Sequence, residues 1–450
     1  MSSHRLRSIA AVVAIAVAGL VIVRVASQVP TITVPEDALR EYAGVYHWEP
    51  NAFVALQIWT ELSAKPELVA FDDSGDVRTL YPTERDRFFA GPGAAVPGTV
   101  ESRIEFERDA AGTIARLRWR RGNAVRIGRR VDVEKREDVR FASGALQLAG
   151  TLIAPKTGGR HPAVILVHGS GPQDRESILP YARFLVRHGV AVLGYDKRGV
   201  GGSSGDWNQA SFDDLAADVV AAFTYLKTRG DIDPSQVGLL GISQAGWIMP
   251  LAAVRAPDFA FLISLSGAAV PAAETTLEHA ANEMHANGMK PQMVEQILGL
   301  MKAQYHFART GQGWDDYLAA RDAIAARLGK PPASFPATED HPSWQYMRRL
   351  YFYDPAPTIR QMKTPTLALF GGLDNNIVAA KNRTAWQAAL EAGGHRDFSL
   401  QVLPQANHIL LEATRGHNAE MASLQRFVPA YFSTVREWLA KRLRVPAPPK

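Results

Sequence analysis

The chain has 450 residues, of which 46% are hydrophobic and 21% are charged, a composition that excludes wholesale disorder and allows two or three domains. The formal net charge of +5 is small for this length, so no nucleic-acid partner is expected. The sequence contains no cysteine, which excludes disulfide bonds and an acylated lipoprotein anchor.

Residues 1–29 have the pattern of a secretory signal peptide or an N-terminal membrane anchor. Basic residues precede an uninterrupted apolar run at 9–23, and the small residues at 25–27 allow cleavage after Ser27. The run is shorter than the roughly twenty residues of a typical membrane-spanning helix. An uncleaved segment could still act as a membrane tether, because Arg24 can reach the far boundary. We therefore expect the body of the protein to be exported, either to the periplasm or outside the cell.

The stretch 36–131 is expected to form a small all-β domain. Eight candidate strands are separated by turn sequences, and apolar residues alternate with charged ones at 104–107 and 114–120. This alternation indicates a sheet with one dry and one wet face, so we expect a small antiparallel barrel or a curved sheet. The stretch resembles lipocalin-like modules, and the resemblance implies no site.

Seven arginines make the second half of this stretch basic. They could bind an anionic surface or polymer, or they could form a solvated strand face paired with carboxylates. The second interpretation is favoured, because acidic residues stand at suitable cross-strand positions. The arginines are Arg116, Arg118, Arg120, Arg121, Arg126, Arg129 and Arg130, and the acidic residues are Glu101, Glu105, Glu107 and Asp109.

From residue 139 to residue 445 strands alternate with helical patterns, after a charged segment at 131–138 that we expect to be a linker. Helices are expected at 178–187 and at 212–229, the second capped by Ser211. Alternation of this kind predicts a mostly parallel sheet with helices on both faces. After an initial hairpin, the predicted strands are 163–167, 190–195, 237–240, 261–265, 366–370 and 398–403.

The alternation stops at about 271–357, where the pattern is helical and is interrupted by Gly and Pro. An insertion between two strands of one sheet is expected to form a helical lid over the carboxyl ends of the strands, although a structural extension without a gating role fits the same pattern. Its aromatic residues could line an acyl pocket, but aromatic clusters more often belong to a core. These residues are Trp344, Tyr346, Tyr351, Phe352 and Tyr353.

The segment GISQAG at 241–246 joins a short buried strand to the start of a helix. A serine at the tip of such a turn is lifted above the sheet, as in the nucleophile elbow with the pattern G-x-S-x-G. The backbone at the serine is strained, so its neighbours must be small, and Gly241, Ala245 and Gly246 are small. Ser243 is therefore the candidate nucleophile, and Ala245 is a mild departure from the pattern.

A serine hydroxyl needs a base to accept its proton, and the base needs an acid that orients it. Asp374 and His408 each come directly after a predicted strand, so both should lie with Ser243 above the carboxyl edge of the sheet. Their order in the chain, acid and then histidine after the serine, fits this architecture. The alternative partners are His417 as base and Asp354 or Asp397 as acid.

The segment HGSGP at 168–172 follows another predicted strand. A sharp glycine turn can direct a backbone N–H towards the serine, and together with the N–H of Gln244 it would form an oxyanion hole. Ser170 is the favoured donor and Gly171 is the second choice. We interpret His168 as a structural residue of the turn rather than as a base or a metal ligand.

Three segments carry a family resemblance: HGSGP at 168–172, YDKRGVGGS at 195–203 and GISQAGW at 241–247. Together they are similar to segments of exported esterases and related serine peptidases, so the stretch from 139 to 443 resembles the α/β-hydrolase superfamily. The resemblance implies a catalytic triad of Ser243, Asp374 and His408. Neither a metal nor another cofactor is expected, because His279 and His285 lie six residues apart on a helix and face different directions.

The expected activity is hydrolysis of a carboxylic ester through an acyl-enzyme, with a small-molecule ester or a short acyl or peptide compound as substrate. Cleavage of a peptide or amide is the alternative enzymatic activity, and thioester cleavage comes third. A peptidase of the prolyl-oligopeptidase kind would carry a large propeller, for which the all-β stretch is too short. A catalytically inactive binding protein on the same fold is the alternative from another class. Neither the acyl chain length nor the oligomeric state follows from the sequence.

Overall fold

A computed structural model of the chain describes residues 30–445, except residues 50, 51, 64, 331 and 332. The predicted signal peptide or anchor at 1–29 lies outside the described residues. Within the described part of the chain, no helix combines the length and the apolar character needed to cross a membrane.

The N-terminal part is a closed antiparallel barrel, as the alternating pattern predicted. Its elements are α1 (Glu36–Arg40), β1 (Gly44–Glu49), β2 (Ala52–Trp59), β3 (Glu67–Asp72), β4 (Val77–Glu84), β5 (Arg87–Ala90), β6 (Ser102–Arg108), β7 (Ile114–Arg121) and β8 (Ala124–Val131). Each strand pairs with the next, and β1 closes on β8, with Val45 opposite Val131. Alternate apolar side chains, among them Leu56, Leu80 and Leu117, fill the interior.

Arginines of β7 pair with carboxylates on the neighbouring strand β6 and on the residue that precedes it. Arg118 lies opposite Glu105 in the strand register, and its Nη2 is 3.3 Å from Glu107 Oε1. Arg121 Nη2 is 2.6 Å from Glu101 Oε1. These arginines therefore pair across strands on a partly solvated face, which is the arrangement that the favoured interpretation of the basic cluster requires.

The second part is built on an eight-stranded sheet in the order β16-β15-β14-β13-β11-β12-β10-β9. The strands are β9 (Glu134–Ser143), β10 (Leu146–Pro155), β11 (His161–Val167), β12 (Ala191–Tyr195), β13 (Ile232–Ile242), β14 (Leu262–Leu265), β15 (Thr366–Gly371) and β16 (Phe398–Leu403). The six strands from β11 onward run parallel, whereas β9 and β10 pair antiparallel. Successive residues Leu239 and Leu240 face two different hydrophobic cores, so both faces of the sheet are covered.

Nine helices accompany this sheet in the described residues. They are α2 (Phe212–Lys227), α3 (Ala245–Arg255), α4 (Ala272–Ala286), α5 (Pro291–Thr310), α6 (Trp314–Leu328), α7 (Ser343–Leu350), α8 (Ala356–Gln361), α9 (Ala379–Ala392) and α10 (Pro429–Ala440). Ser211 caps α2 as predicted: its Oγ accepts the N–H of Asp214, and the Asp214 carboxylate accepts the N–H of Ser211, which completes a capping box. The helices α4 to α8 form the predicted helical insertion between β14 and β15.

The structure corrects two predicted elements. The charged segment 131–138 was predicted to be a linker, but β9 begins at Glu134, so most of the segment is strand. A sheet edge tolerates these charges, since Glu134 and Glu137 pair with Arg183 at 2.6 Å and with Arg229 at 2.9 Å. The predicted helix at 178–187 is instead a pair of short 3₁₀ segments, Leu179–Tyr181 and Arg183–His188. Pro180 removes one backbone donor from this segment, which weakens a continuous α-helix.

The barrel is joined to the second part by backbone hydrogen bonds and by a shared core. The N–H of Val77 donates to the carbonyl of Gln425 at 2.9 Å, and the N–H of Phe427 donates to the carbonyl of Gly75 at 2.9 Å. Trp59, at the end of β2, is buried in the core that lies on one face of the eight-stranded sheet. Its Nε1 donates to the carbonyl of Ser177 at 2.8 Å.

Candidate active site

Ser243 lies at the turn between β13 and α3, where the segment GISQAG predicted a nucleophile elbow. Its φ of +59° is in the left-handed region, which is strained for a serine. A Cβ added at Gly246 would lie 2.4 Å from the carbonyl oxygen of Ala268. A Cβ added at Gly241 would lie 2.5 Å from the Cβ of Ala245, so the glycine at 241 makes room for the alanine that departs from the pattern. The sharp turn therefore depends on these small residues.

Asp374 and His408 come together above the carboxyl edge of the sheet, as their positions after β15 and β16 predicted. His408 Nδ1 and Asp374 Oδ2 are 2.9 Å apart. The other oxygen of Asp374 accepts the N–H groups of Asn376 and Ile377, each at 2.8 Å. The carboxylate is therefore held in place, and a proton on Nδ1 leaves Nε2 of His408 free to act as an acceptor.

The pKa of His408 is raised above its ordinary value of 6.5. Burial alone lowers the pKa, but the charge of Asp374 and its hydrogen bond raise it by more, and the charge of Glu61 acts in the same direction. The carboxylate thus stabilises the imidazolium form of the ring. A histidine that is to accept a proton during a reaction needs such a partner.

Ser243 and His408 line one cavity of about 230 Å³, together with Gln244 and Ser170. Asp374 lies behind His408 rather than on the cavity wall. The structure therefore brings together five of the six predicted site residues. Gly171, the sixth, does not line the cavity. Its carbonyl oxygen accepts a hydrogen bond from Lys197 Nζ.

The helical insertion supplies part of the cavity wall. Tyr346 and Tyr351 line the cavity, whereas Trp344 is buried in the insertion and packs against Phe307 at a ring-centroid distance of 4.9 Å. Of the aromatic residues predicted to belong to either a pocket or a core, Tyr346 and Tyr351 therefore belong to the pocket and Trp344 to the core. His279 of α4, which was considered only as a metal ligand, also lines the cavity, and its Nδ1 is 3.2 Å from the carbonyl oxygen of Asn375.

The sequence interpretation missed Lys197, which lies under the glycine turn that follows β11. Its side chain is buried, and Nζ donates to the carbonyl oxygens of Gly169 at 2.6 Å and Gly171 at 2.9 Å and to Gln244 Oε1 at 3.1 Å. Burial lowers the pKa of Lys197 to about 7, although the charge of Glu61 opposes this shift. Lys197 stands two residues after β12, in a glycine-rich loop where the sequence pattern does not distinguish a buried lysine from a solvated one.

His168 has the structural role that was predicted for it. It is buried, and its Nε2 is 2.6 Å from the carbonyl oxygen of Tyr195, which ties the glycine turn to the end of β12. Burial lowers its pKa to about 3, so the ring is neutral at ordinary pH. A ring held in this way is unsuited to accept a proton from a substrate.

The alternative acids and base lie away from the cavity. Asp397 pairs with Arg442 at 2.5 Å, and Asp354 accepts the N–H of Ala356 at the start of α8. His417 precedes the 3₁₀ segment Asn418–Ser423 and does not line the cavity. In the described part of the chain, no group of three or more His, Cys, Asp or Glu side chains is arranged to hold a metal ion.

Comparison with known proteins shows what this chain is similar to. Esterase EstD of Thermotoga maritima is 27% identical over 271 residues, which cover 59% of this chain and 58% of that protein. The quorum-quenching protein AidA of Acinetobacter baumannii is 31% identical over 110 residues, 24% of this chain and 36% of that protein. The matches thus span less than two thirds of the length of either relative.

An esterase of known structure from Pyrococcus furiosus covers 69% of this chain and 92% of its own, with 15% identity and a TM-score of 0.45. The family model described as "Alpha/beta hydrolase family" matches residues 164–423. This match covers more than half of the chain and includes Ser243, Asp374 and His408. The chain therefore belongs to the alpha/beta hydrolase family.

Proposed function

We propose that the protein is a serine hydrolase that cleaves carboxylic esters through an acyl-enzyme formed on Ser243. The observation that carries the proposal is the shared cavity: Ser243 stands on a strained elbow in the same cavity as His408, whose Nδ1 is bound by Asp374. The similarity to a protein named an esterase favours an ester over an amide as the bond cleaved.

In the proposed reaction, Ser243 Oγ attacks the ester carbonyl carbon while His408 Nε2 accepts the hydroxyl proton. The carbonyl electron pair moves to the oxygen and forms a tetrahedral oxyanion. When the oxyanion collapses, the bond to the alcohol oxygen breaks and His408 returns the proton to the departing alcohol. Water then attacks the acyl-enzyme, with His408 again acting as base, and releases the carboxylic acid and the free serine. Asp374 stabilises the imidazolium form in both halves of the reaction.

The oxyanion would be stabilised by the N–H groups of Gln244, at the start of the elbow helix, and Ser170, on the glycine turn. One such donor contributes on the order of 3 kcal/mol to transition-state stabilisation. Lys197 acts as a positioning residue, since it binds the glycine turn and the side chain of Gln244 at once. The helical insertion, which supplies Tyr346 and Tyr351 to the wall, is proposed to act as a lid that shapes the acyl pocket.

A fluorophosphonate probe tests the proposal, because it reacts with activated serines. We expect the purified protein to be labelled, Ser243→Ala to abolish labelling, and Ser235→Ala, a change at an exposed serine, to leave it unchanged. Labelling that survives Ser243→Ala would refute the assignment of the nucleophile. Labelling and ester turnover should be lost in His408→Ala and retained in His417→Ala.

The bond that is cleaved can be identified with paired substrates. We expect turnover of p-nitrophenyl esters to exceed turnover of aminoacyl-naphthylamides carrying comparable acyl groups. Faster turnover of the amides would favour the alternative peptidase or amidase activity. If the protein neither reacts with the probe nor cleaves either substrate, the alternative of a binding protein on this fold is favoured.

A further inference from the structure

The barrel contributes a carboxylate to the cavity that contains Ser243. Glu61 follows strand β2, which ends at Trp59, and its side chain is part of the cavity wall. Trp59 is buried against the second part of the protein and donates a hydrogen bond to the carbonyl of Ser177. The loop that carries Glu61 is therefore anchored two residues before the carboxylate, which fixes its approach to the cavity.

Glu61 is the one carboxylate on the cavity wall in the described part of the chain, and no lysine or arginine lines the cavity there. Its Oε1 accepts a hydrogen bond of 2.7 Å from Gln173 Nε2, a neutral amide. In that same part of the chain, no cationic side chain forms an ion pair with Glu61. The carboxylate thus lies at a partly buried position without a positively charged partner in contact.

The charged groups near Glu61 do not supply this partner. The three hydrogen bonds of Lys197 Nζ go to Gly169, Gly171 and Gln244 rather than to Glu61. His408 is held by Asp374, and the nearby charge of Asp174 disfavours an ionised Glu61. Burial raises the pKa of Glu61, and the bond from Gln173 and the charges of His408 and Lys197 offset only part of that rise. A cationic group that enters the cavity would therefore stabilise the ionised carboxylate of Glu61.

We propose that Glu61 binds a positively charged group of the substrate, so that the preferred substrates are esters carrying a protonated amine or a quaternary ammonium group. This inference rests on the proposed ester hydrolysis and names its substrate class. Aromatic side chains on the same cavity wall suit such a group, since a ring face attracts a cation. They are Tyr181, Phe212, Trp247, Tyr346 and Tyr351.

A neutral hydroxyl group would not need a carboxylate at this position. Gln173 and other neutral groups of the wall, such as Asn376, can bind hydroxyls without the cost of burying a charge. A hydrogen bond between a carboxylate and a cationic group is stronger than one between a carboxylate and a neutral hydroxyl. The chemistry of the lining therefore favours a cationic substrate over a polyhydroxylated one.

Two acetate esters of nearly the same shape test the proposal: 2-(trimethylammonio)ethyl acetate is charged, and 3,3-dimethylbutyl acetate is neutral. We expect wild-type kcat/KM to favour the charged ester by about tenfold or more, the effect of one charge-assisted contact. Glu61→Gln, which keeps the acceptor for Gln173, should remove this preference, so that the ratio of kcat/KM for the charged ester to kcat/KM for the neutral ester falls close to unity. Glu61→Ala should lose the preference as well. Glu84→Gln, at an exposed barrel carboxylate paired with Arg87, is the matched control and should behave as wild type.

A binding measurement separates failure of this inference from failure of the proposed hydrolysis. The two esters are titrated by calorimetry into Ser243→Ala, which cannot turn them over, with and without Glu61→Gln. Tighter binding of the charged ester that depends on Glu61 supports the inference even if wild-type protein cleaves neither ester. Equal binding of the two esters, or a preference that survives Glu61→Gln, overturns it, whatever the fluorophosphonate probe shows.

Discussion

Replacing Lys197 with methionine should slow the proposed ester hydrolysis, because this lysine holds together the two turns that carry the proposed oxyanion hole. Its Nζ donates three hydrogen bonds, to the carbonyls of Gly169 and Gly171 and to Gln244 Oε1. Methionine fills a similar volume but donates none of them. The backbone N–H groups remain in the variant, so the loss should stay below the roughly 3 kcal/mol that a deleted oxyanion donor costs. We expect kcat to fall by about ten- to a hundredfold.

The assay is steady-state hydrolysis of a p-nitrophenyl ester with kcat and KM measured separately. An interaction that matters in the transition state lowers kcat and leaves KM nearly unchanged, whereas general damage to the cavity changes both. Lys227→Met is the matched control, since Lys227 is an exposed lysine of α2 that pairs with Asp258 at 3.3 Å. A folded Lys197→Met variant with kcat within about twofold of wild type would refute the positioning role.

Lys197→Met should also change how the free energy of unfolding depends on pH. Burial lowers the pKa of Lys197 to about 7 in the folded protein, and its ordinary value is 10.5. Between these values the unfolded chain holds a proton that the folded protein has lost, so Lys197 keeps two N–H donors there and the free energy of unfolding rises with pH in this window. The rise is at most about 1.4 kcal/mol per pH unit. Urea titrations at pH 7 and pH 9 should show this contribution in wild type and not in Lys197→Met, and parallel changes in both proteins would contradict it.

Three further results are expected. Asp374→Asn should lower kcat by about 10⁴-fold; because the charge of Asp374 raises the pKa of His408, the ascending limb of the kcat/KM profile should also move to lower pH. Trp59→Ala should lower the free energy of unfolding by about 3–5 kcal/mol in urea titrations, since it empties a buried site between the barrel and the sheet. Gly246→Ala should reduce both probe labelling and the melting temperature, because its Cβ would lie 2.4 Å from the Ala268 carbonyl oxygen. An unshifted pH profile would contradict the argument for Asp374, and a loss below about 1 kcal/mol would contradict the one for Trp59. Wild-type labelling of Gly246→Ala would contradict the argument for Gly246.

The candidate site could be predicted from the sequence to the extent that each residue is placed by local structure. Ser243, Asp374 and His408 each follow a strand of the parallel sheet, and the carboxyl ends of parallel strands meet at one edge. The sheet topology therefore brings His408 and Asp374 together, and their positions after predicted strands indicate this in the sequence. In the structure His408 Nδ1 and Asp374 Oδ2 are 2.9 Å apart. The barrel strands were predictable for a similar reason, because a side-chain period of two is a local property.

Glu61 and Lys197 could not be found in this way. Glu61 reaches the cavity only because the barrel docks on the sheet, and that docking depends on contacts such as the one between Trp59 and Ser177, which are 118 residues apart. Lys197 stands in a glycine-rich loop, where the pattern alone does not distinguish a buried lysine from a solvated one. The same limit explains the segment 131–138, whose charges predict a linker until their partners Arg183 and Arg229 are in place.

The barrel also supports the histidine of the site through a chain of backbone hydrogen bonds. Residues 424–428 are bonded on one side to the barrel, where Val77 donates to Gln425 and Phe427 donates to Gly75. On the other side they are bonded to the loop that carries His408, since the N–H of Val428 donates to the carbonyl of Leu410 at 3.0 Å.

Residues 424–428 therefore connect the barrel to Leu410, which lies two residues after His408 in the same loop. Glu61 approaches the same histidine from the barrel side, and its charge raises the pKa of His408. A change in how the barrel docks would reach the proposed base by both routes, through its loop and through its electrostatic environment. For this reason the barrel is better understood as part of the proposed active site than as a separate module attached to a complete hydrolase.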